Sequence, residues 1–600
     1  MIKIKNLFKT DLNNKTPEDI KPDIFTFIKS MFISFGFLRL LGLGTGNILS
    51  LIFFTTGLFL ITAVNRLYLK TDPDMFRAAS RTSNILALLF TLMICVSDYT
   101  KIFAGMENFL FQAVVLVGTF IGLLIIFYYS LMLIYLLTGK LKTYVFLTSP
   151  RGCVPHPGLI SGIVCFIFYL PYYLYEYPGI LTPDSINQMN QVMGRAPFDN
   201  KNPLVHTLLI NIWVKLGLKI GLDINGATGL YILFQMAFLC LAIGYCISTL
   251  KKFNVSNKIL IGITAYFALI PYNGALSVTM WKDVIFGALV LIFISVLARL
   301  VTKREEANKF DKDVLIFILS GVGFCLFRSN GWFGFLFTVP FLIFYFRKSF
   351  KTMFPAIILV VLISAVVKYP VMNSLNIVQS DPVESLCIPI QQITRVLVKD
   401  RPITPDQRAL IEEVADLTYI HELYEETFAD NIKDLIRATD RQDYLVAHKG
   451  EYAKLYIELG LKYPKDYIDA YVAQTMGYWY PDIFYPITDT EGISHNSLGL
   501  EPDPLLRGFV FVKIREIVMK LHTVIPLFGL LFSLGSVLWI ILIMFGYTFV
   551  NKDNDSRLLF IPILAMVFTI LIATPVSGDF RYVYYEFLAL PLLAIMPLKH

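Results

Sequence analysis

Charge-poor apolar runs of roughly 18 residues or more recur along the whole chain, and each is long enough to cross about 30 Å of hydrocarbon as a helix. A spanning β-barrel would instead show short segments of alternating polarity, which this chain lacks. The pattern predicts an all-α polytopic membrane protein. Composition agrees, with 56% of residues hydrophobic and 16% charged, whereas soluble domains carry about a quarter charged residues. An ordinary soluble enzyme is excluded.

The apolar segments fall at 24–43, 47–68, 84–103, 107–137, 158–178, 226–250, 257–279, 281–301, 312–327, 331–346, 352–372, 523–548, 558–576 and 581–598, about fourteen in all. Lys70, Arg77 and Arg81, then Lys140, Lys142 and Arg151, Lys251 and Lys252, Lys303 and Arg304, Arg347 and Lys348, and Lys552 and Arg557 occupy alternate loops. The positive-inside bias makes these loops and both termini cytoplasmic. The loops around Gly105, 179–225, Thr279–Asp283, Arg328–Asn330, 373–522 and Ser577–Arg581 then lie outside, on a multi-pass protein of the cell membrane. Residues 203–221 are apolar but carry His206, Lys215 and Lys219. Counting them as a span would invert every later loop, so they are expected to form an amphipathic helix on the outer surface.

Five regions follow: a cytoplasmic N-terminal segment 1–23, four spans in 24–157, a membrane module 158–372 with the external loop 179–225, an external soluble domain 373–522, and C-terminal spans in 523–600. Residues 373–520 hold 24 of the 45 acidic and only 15 of the 52 basic residues. An acidic, water-facing domain is thus inserted in a basic-inside membrane body. Its apolar residues recur at three and four spacing with few Gly or Pro, so it is expected to be mainly helical. The start of the chain has no small-residue cleavage site after its first apolar stretch and does not read as a signal peptide. The seven cysteines show neither a pairing pattern nor metal-ligand spacing, so no disulfide framework and no zinc site are expected.

The segment YEYPGILTPDSINQMNQVMGRAPFDNKNPLVHTLL, residues 175–209, is the most informative. A span ends at Tyr177, Pro178 and Gly179 break it, and Asp184 follows in Thr-Pro-Asp-Ser at the outer interface. An Asp after a proline turn is an ordinary helix N-cap, and it is also where a catalytic carboxylate would stand. Asn202-Pro203-Leu204-Val205-His206 opens the expected surface helix. This arrangement resembles the first external loop of the polyprenyl-phosphate-dependent glycosyltransferases with the GT-C fold, among them the protein O-mannosyltransferases, the lipid A aminoarabinose transferases and bacterial relatives that decorate surface polysaccharides. The resemblance covers roughly 155–600 and matches Asp184 to the essential acidic residue of that loop. The sequence departs from the mannosyltransferases in carrying one Asp instead of an acidic pair, and in placing His206 after the Pro-Leu.

The resemblance implies a hexosyl- or pentosyltransferase of the cell envelope. It would take a polyprenyl-phosphate sugar as donor and a glycan, lipid or protein as acceptor, and act by inversion. Such chemistry needs a general base at the acceptor hydroxyl, for which Asp184 is the candidate. It also needs cations for the departing phosphate. Lys282, Arg328 and Arg581 all lie in short external turns, where the topology bias disfavours basic residues; the alternative for each is a side chain snorkelling to the interface. Asp283 and Asp579 are neighbours that neutralise them. Tyr478, Trp479 and Tyr480 in MGYWYPDIFYP, together with His206, are candidate sugar or acceptor contacts, and an interfacial belt or a domain core accounts equally for the rings.

No cofactor is expected. A divalent metal at Asp184 with Asp199 or Asp283 is the minor alternative. Gly-rich phosphate loops, nucleophile elbows and His-Glu-x-x-His are absent from the sequence, and the net charge of +7 follows from the cytoplasmic loops and implies no nucleic-acid partner. A flippase or transporter of lipid-linked glycans is the rival reading, but its functional charges would sit near the midplane. A glycan polymerase or ligase using a diphosphate carrier shares the substrate class and the membrane face.

Overall fold

The computed structural model describes residues 21–146, 155–303, 310–485 and 492–599. Most of the N-terminal lead-in, Arg151 and Arg304 among the orienting cations, and Pro486 at the end of the aromatic cluster lie outside the described residues. Helices dominate, and among the described residues the only β pairing is in isolated bridges. The chain forms two compact units, Met1–Tyr144 with Leu542–Asn554 and Pro597–His600, and Val145–Ile541 with Asp555–Met596.

The first unit is built on α1 (Ile24–Leu40), α2 (Leu49–Tyr68), α3 (Pro73–Ser97), the single turn α4 (Tyr99–Ile102) and α5 (Phe109–Val145). α1 and α2 pack as a hairpin with Gly57 against Ser30 and Ile33. The buried Lys29 of α1 donates to Tyr129 Oη of α5 at 3.0 Å, which spares an ammonium in an apolar setting from standing unpaired.

The second unit opens with α6 (Pro157–Tyr175), α7 (Pro183–Val192), α8 (Leu204–Lys219) and α9 (Ile224–Lys252). It continues through α10 (Asn257–Leu269), α11 (Pro271–Ser277), α12 (Lys282–Thr302), α13 (Lys312–Leu326), α14 (Ser329–Tyr345), α15 (Phe350–Val366) and the short α16 (Met372–Ser374). α12 is the core element, buried over nearly its whole length between α9, α13 and α27 (Phe580–Ile595). The region expected to be helical supplies α17 (Cys387–Val398), α18 (Pro405–Glu412), α19 (Ile420–Leu423), α20 (Asp430–Ala438), α21 (Gln442–Ala447), α22 (Lys449–Lys462) and α23 (Pro464–Thr475). These close over two small apolar cores, one around Ile390, Ile432 and Ile436 and one around Val396, Leu455 and Leu459. α24 (Phe509–Val524), α25 (Leu534–Val550) and α26 (Asn554–Ala573) complete the order.

Among the described residues eight helices are long and apolar enough to cross a membrane, or nine if the bent pair α10 and α11 is one span. The chain is thus an all-α polytopic membrane protein, with fewer such helices than the fourteen apolar segments suggest. The reasons are local. α1, α13, α25 and α27 have 17, 15, 17 and 16 residues, which at about 1.5 Å per residue fall short of the roughly 30 Å of hydrocarbon. The segments at 331–346 and 352–372 are joined by a 3-10 turn at Phe346–Ser349 into one helical stretch, Ser329–Ser374. The segment 257–279 bends by 55° between α10 and α11, where Pro271 pushes Ile270 out of the helical region. The span placed at 523–548 starts at Leu534, because residues up to Val524 belong to a separate helix. Residues 203–221 do form a helix, α8, which is not among the eight.

Candidate functional site

Four helix N-termini in the second unit supply the candidate charges. Asp184 is the second residue of α7, Lys282 the first of α12, Arg328 the N-cap of α14 and Arg581 the second residue of α27. Helix N-termini carry free N–H groups and the positive end of the helix dipole, so each suits an anion.

Backbone pairing brings them together. After α6 the chain turns at Gly179, whose φ of +146° is open to glycine, and where a Cβ would stand 2.7 Å from Ile232 Cγ1. Ile180 then bridges Thr279: Ile180 N donates to Val278 O at 2.9 Å and Met280 N to Ile180 O at 2.9 Å. Ser185 Oγ donates to Met280 O at 2.8 Å, and Trp281 Nε1 to Thr182 Oγ1 at 2.8 Å. The loop bearing Asp184 is thereby laid along the turn bearing Lys282. On the other side, Gly477 approaches Gly578 so closely that a Cβ on Gly477 would lie 2.6 Å from Gly578 Cα. Tyr478 Oη accepts from Asp579 N at 3.2 Å and donates to Val576 O at 2.9 Å, which fixes the loop that enters α27.

The N-cap of α7 is Thr182, whose N–H donates to Ser185 Oγ at 3.2 Å. Asp184 therefore does not cap. Its Oδ2 accepts from Arg581 Nη1 at 3.2 Å, and its side chain is one-third exposed. Burial alone would raise its pKa, but Lys282, then Arg581 and Lys201, outweigh it and hold the carboxyl below its ordinary value.

Arg581 also donates through Nε to Asp579 Oδ2 at 2.6 Å and through Nη2 to Tyr582 Oη at 3.2 Å, and its guanidinium lies 5.1 Å from the Trp281 ring centroid. Arg328, 9% exposed, pairs through Nη1 with Asp283 Oδ1 at 2.5 Å and faces the Tyr582 ring at 4.8 Å. Lys282 differs from both. Its Nζ donates to Asn202 Oδ1 at 2.6 Å, and among the described residues it makes no salt bridge to a carboxylate.

The structure thus gathers Asp184, Lys282 and Arg581, with Arg328 beside them. It places the other candidates differently. His206 is fully buried, with Nδ1 on Gln188 Oε1 at 3.1 Å and Nε2 on Tyr231 Oη at 2.8 Å. Burial, reinforced by Lys282, pushes its pKa down to about 3, so it is a neutral link between α7, α8 and α9. Tyr478, Trp479 and Tyr480 are 2%, 7% and 8% exposed and lie in the interior of the second unit.

Asp199 receives Lys201 N on Oδ1 at 3.0 Å within its own turn, and Asp283 is engaged by Arg328. Among the described residues no three His, Cys, Asp or Glu side chains converge as a metal site. Asn202, Trp281 and Tyr582 complete the cluster. Only Asn202 carried a signal, as the first residue of the Asn-Pro-Leu-Val-His element.

No curated protein and no solved structure matches the chain. A family model does: residues 194–600, which include Lys282, Arg328 and Arg581 and begin ten residues after Asp184, match a family of unknown function (DUF6020), to which the chain belongs.

Proposed function

We propose that this protein is a GT-C type membrane glycosyltransferase that moves a sugar from a polyprenyl-phosphate donor to an acceptor hydroxyl on the external face, with inversion. The observation that carries the reading is the gathering of Asp184 and three cations at four helix N-termini, from segments up to 397 residues apart, with Arg328 paired to Asp283, Arg581 shared between Asp184 and Asp579, and Lys282 bonded, among the described residues, only to the Asn202 amide. A phosphate needs such a set of donors and a hydroxyl nucleophile needs such a carboxylate.

In this mechanism the donor phosphate meets Lys282, whose charge no carboxylate neutralises by direct contact, and Arg581. Arg328 and Asp283 brace the turn behind them. The acceptor oxygen attacks the anomeric carbon and its proton passes to Asp184. The bond from that carbon to the phosphate oxygen breaks, and the lipid phosphate leaves with the electron pair.

A carboxylate held below its ordinary pKa by Lys282, Arg581 and Lys201 is a weak base. Donor phosphate competes for those same cations, so donor binding frees Asp184 and raises its basicity at the moment it is needed. The test is incubation of purified protein with a panel of polyprenyl-phosphate sugars and an acceptor-containing membrane extract. Release of lipid phosphate that depends on one donor is the expected result. No release from any member would count against the reading.

A further inference from the structure

α24 presents three different faces. Arg515, Val518, Met519 and His522 turn toward the protein: Arg515 pairs with Glu176 at 2.9 Å, Met519 is 2% exposed and the His522 ring stacks on Phe532 at 4.5 Å. Lys513, Glu516 and Lys520 form a charged stripe, joined at 2.8 and 3.0 Å. The third face carries Val510, Ile514, Ile517, Leu521 and Val524 at alternating four and three spacing, the signature of one helix side. Val510, Ile514, Ile517 and Val524 are 64%, 52%, 63% and 75% exposed. A water-facing helix does not display such a continuous aliphatic stripe without a partner.

The attachments of α24 fix its level. Leu505 N and Leu506 N donate to Leu174 O at 2.7 and 3.0 Å, and Asp503 N to Tyr177 O at 2.9 Å, so the segment entering α24 is tied to the end of the apolar helix α6. Glu176, the partner of Arg515, directly follows α6. Beyond α24, the apolar helix α25 begins ten residues later at Leu534. Four charges in 16 residues rule out a span, while an apolar stripe beside a charged one, set between the apolar helices α6 and α25, is the form of a helix lying in the interface plane.

We propose that α24 is an in-plane membrane helix whose aliphatic face is immersed in the leaflet at the C-terminal end of α6. Its partner is the bilayer itself, at the boundary between headgroups and acyl chains, and the Glu176–Arg515 pair clamps it to the segment that reaches Asp184 eight residues later. The inference stands apart from the glycosyl-transfer reading.

The test is site-directed spin labelling of the full chain in phosphatidylcholine–phosphatidylglycerol vesicles, with nitroxides at Ile514→Cys and Ile517→Cys and, as the contrasting stripe, at Lys513→Cys and Lys520→Cys. The aliphatic pair should collide with oxygen and be shielded from a water-soluble nickel chelate, at a depth of about 5–10 Å, with the charged pair showing the reverse. Equal access of all four labels to the chelate would place the helix in water and overturn the proposal. Shielding of the aliphatic pair from both reagents would also overturn it, because protein and not lipid would then cover that face.

Discussion

Two clusters of ionic side chains in the second unit differ in how their cations are filled. In the helical domain, Lys433 meets Glu384 at 2.7 Å and also Asp430, while Arg437 reaches Asp381, Glu384 and Asp434 at 2.7, 2.6 and 2.7 Å. Four carboxylates surround two cations, and that network is closed. At the candidate site three carboxylates, Asp184, Asp283 and Asp579, face Lys282, Arg328 and Arg581, and Lys201 acts on Asp184 as well. Lys282 is left with an amide as its partner. The first arrangement consumes its charge in holding helices together, whereas the second keeps attraction in reserve for an anion.

The largest effect should come from breaking the buried pair. Arg328→Ala leaves Asp283, 3% exposed, without its guanidinium, and removing one partner of a buried pair costs about 3–5 kcal/mol. Thermal unfolding in detergent should show a marked loss, and the double variant Arg328→Ala with Asp283→Ala should recover much of it. A single variant as stable as the parent would show that the pair is solvated.

Lys282→Ala should leave stability closer to the parent but weaken donor binding by about 10- to 100-fold, since a hydrogen bond to a charged group contributes roughly 1.5–3 kcal/mol. Titration with a polyprenyl phosphate measures this, and unchanged affinity would move the phosphate away from Lys282. Arg437→Ala in the closed network should lower stability by about 1–3 kcal/mol, because loss of its largely buried guanidinium takes a charged donor from Asp381 and Glu384. It should leave donor affinity untouched; a loss of donor affinity there would erase the contrast between the two clusters.

The pH profile gives a finer test. In the free protein Asp184 is held below its ordinary carboxyl value, so its charge is present above the unfolded pKa of about 3.9 and is lost as pH falls through the lower folded value. The acid limb of kcat/KM, which reports free enzyme, should therefore lie below about pH 4. The limb of kcat should lie higher, because bound phosphate draws Lys282 and Arg581 away. Coincident limbs would show that donor and Asp184 do not share those cations.

Much of this was legible in the sequence because membrane topology makes charge conspicuous. Asp184, Lys282, Arg328 and Arg581 each stand out as charges at the ends of apolar runs. Their pairing was not legible, since it depends on the Ile180–Thr279 bridge and on the contact of Gly477 with Gly578, neither of which has a periodic signal. Adjacency in the sequence ties Asp283 to Lys282, whereas in the structure it pairs with Arg328, 45 positions away. His206 and Tyr478 were picked out for their chemistry, but what decides their role is burial, which a single sequence does not display. Apolar segments were easy to find, but their helical lengths were not, because breaks such as that at Pro271 depend on a few residues inside an otherwise uniform run.

The most direct measurement is turnover by Asp184→Asn. Thr182, not Asp184, caps α7, and asparagine keeps the size and a hydrogen-bond acceptor toward Arg581, so the variant should fold and bind donor lipid. It lacks a basic carboxylate, and loss of general-base help typically costs roughly 10²- to 10⁴-fold in rate. A monodisperse variant with donor affinity near that of the parent and turnover reduced by that factor is the expected result. Turnover within a few fold of the parent would contradict the assignment of Asp184 as the base.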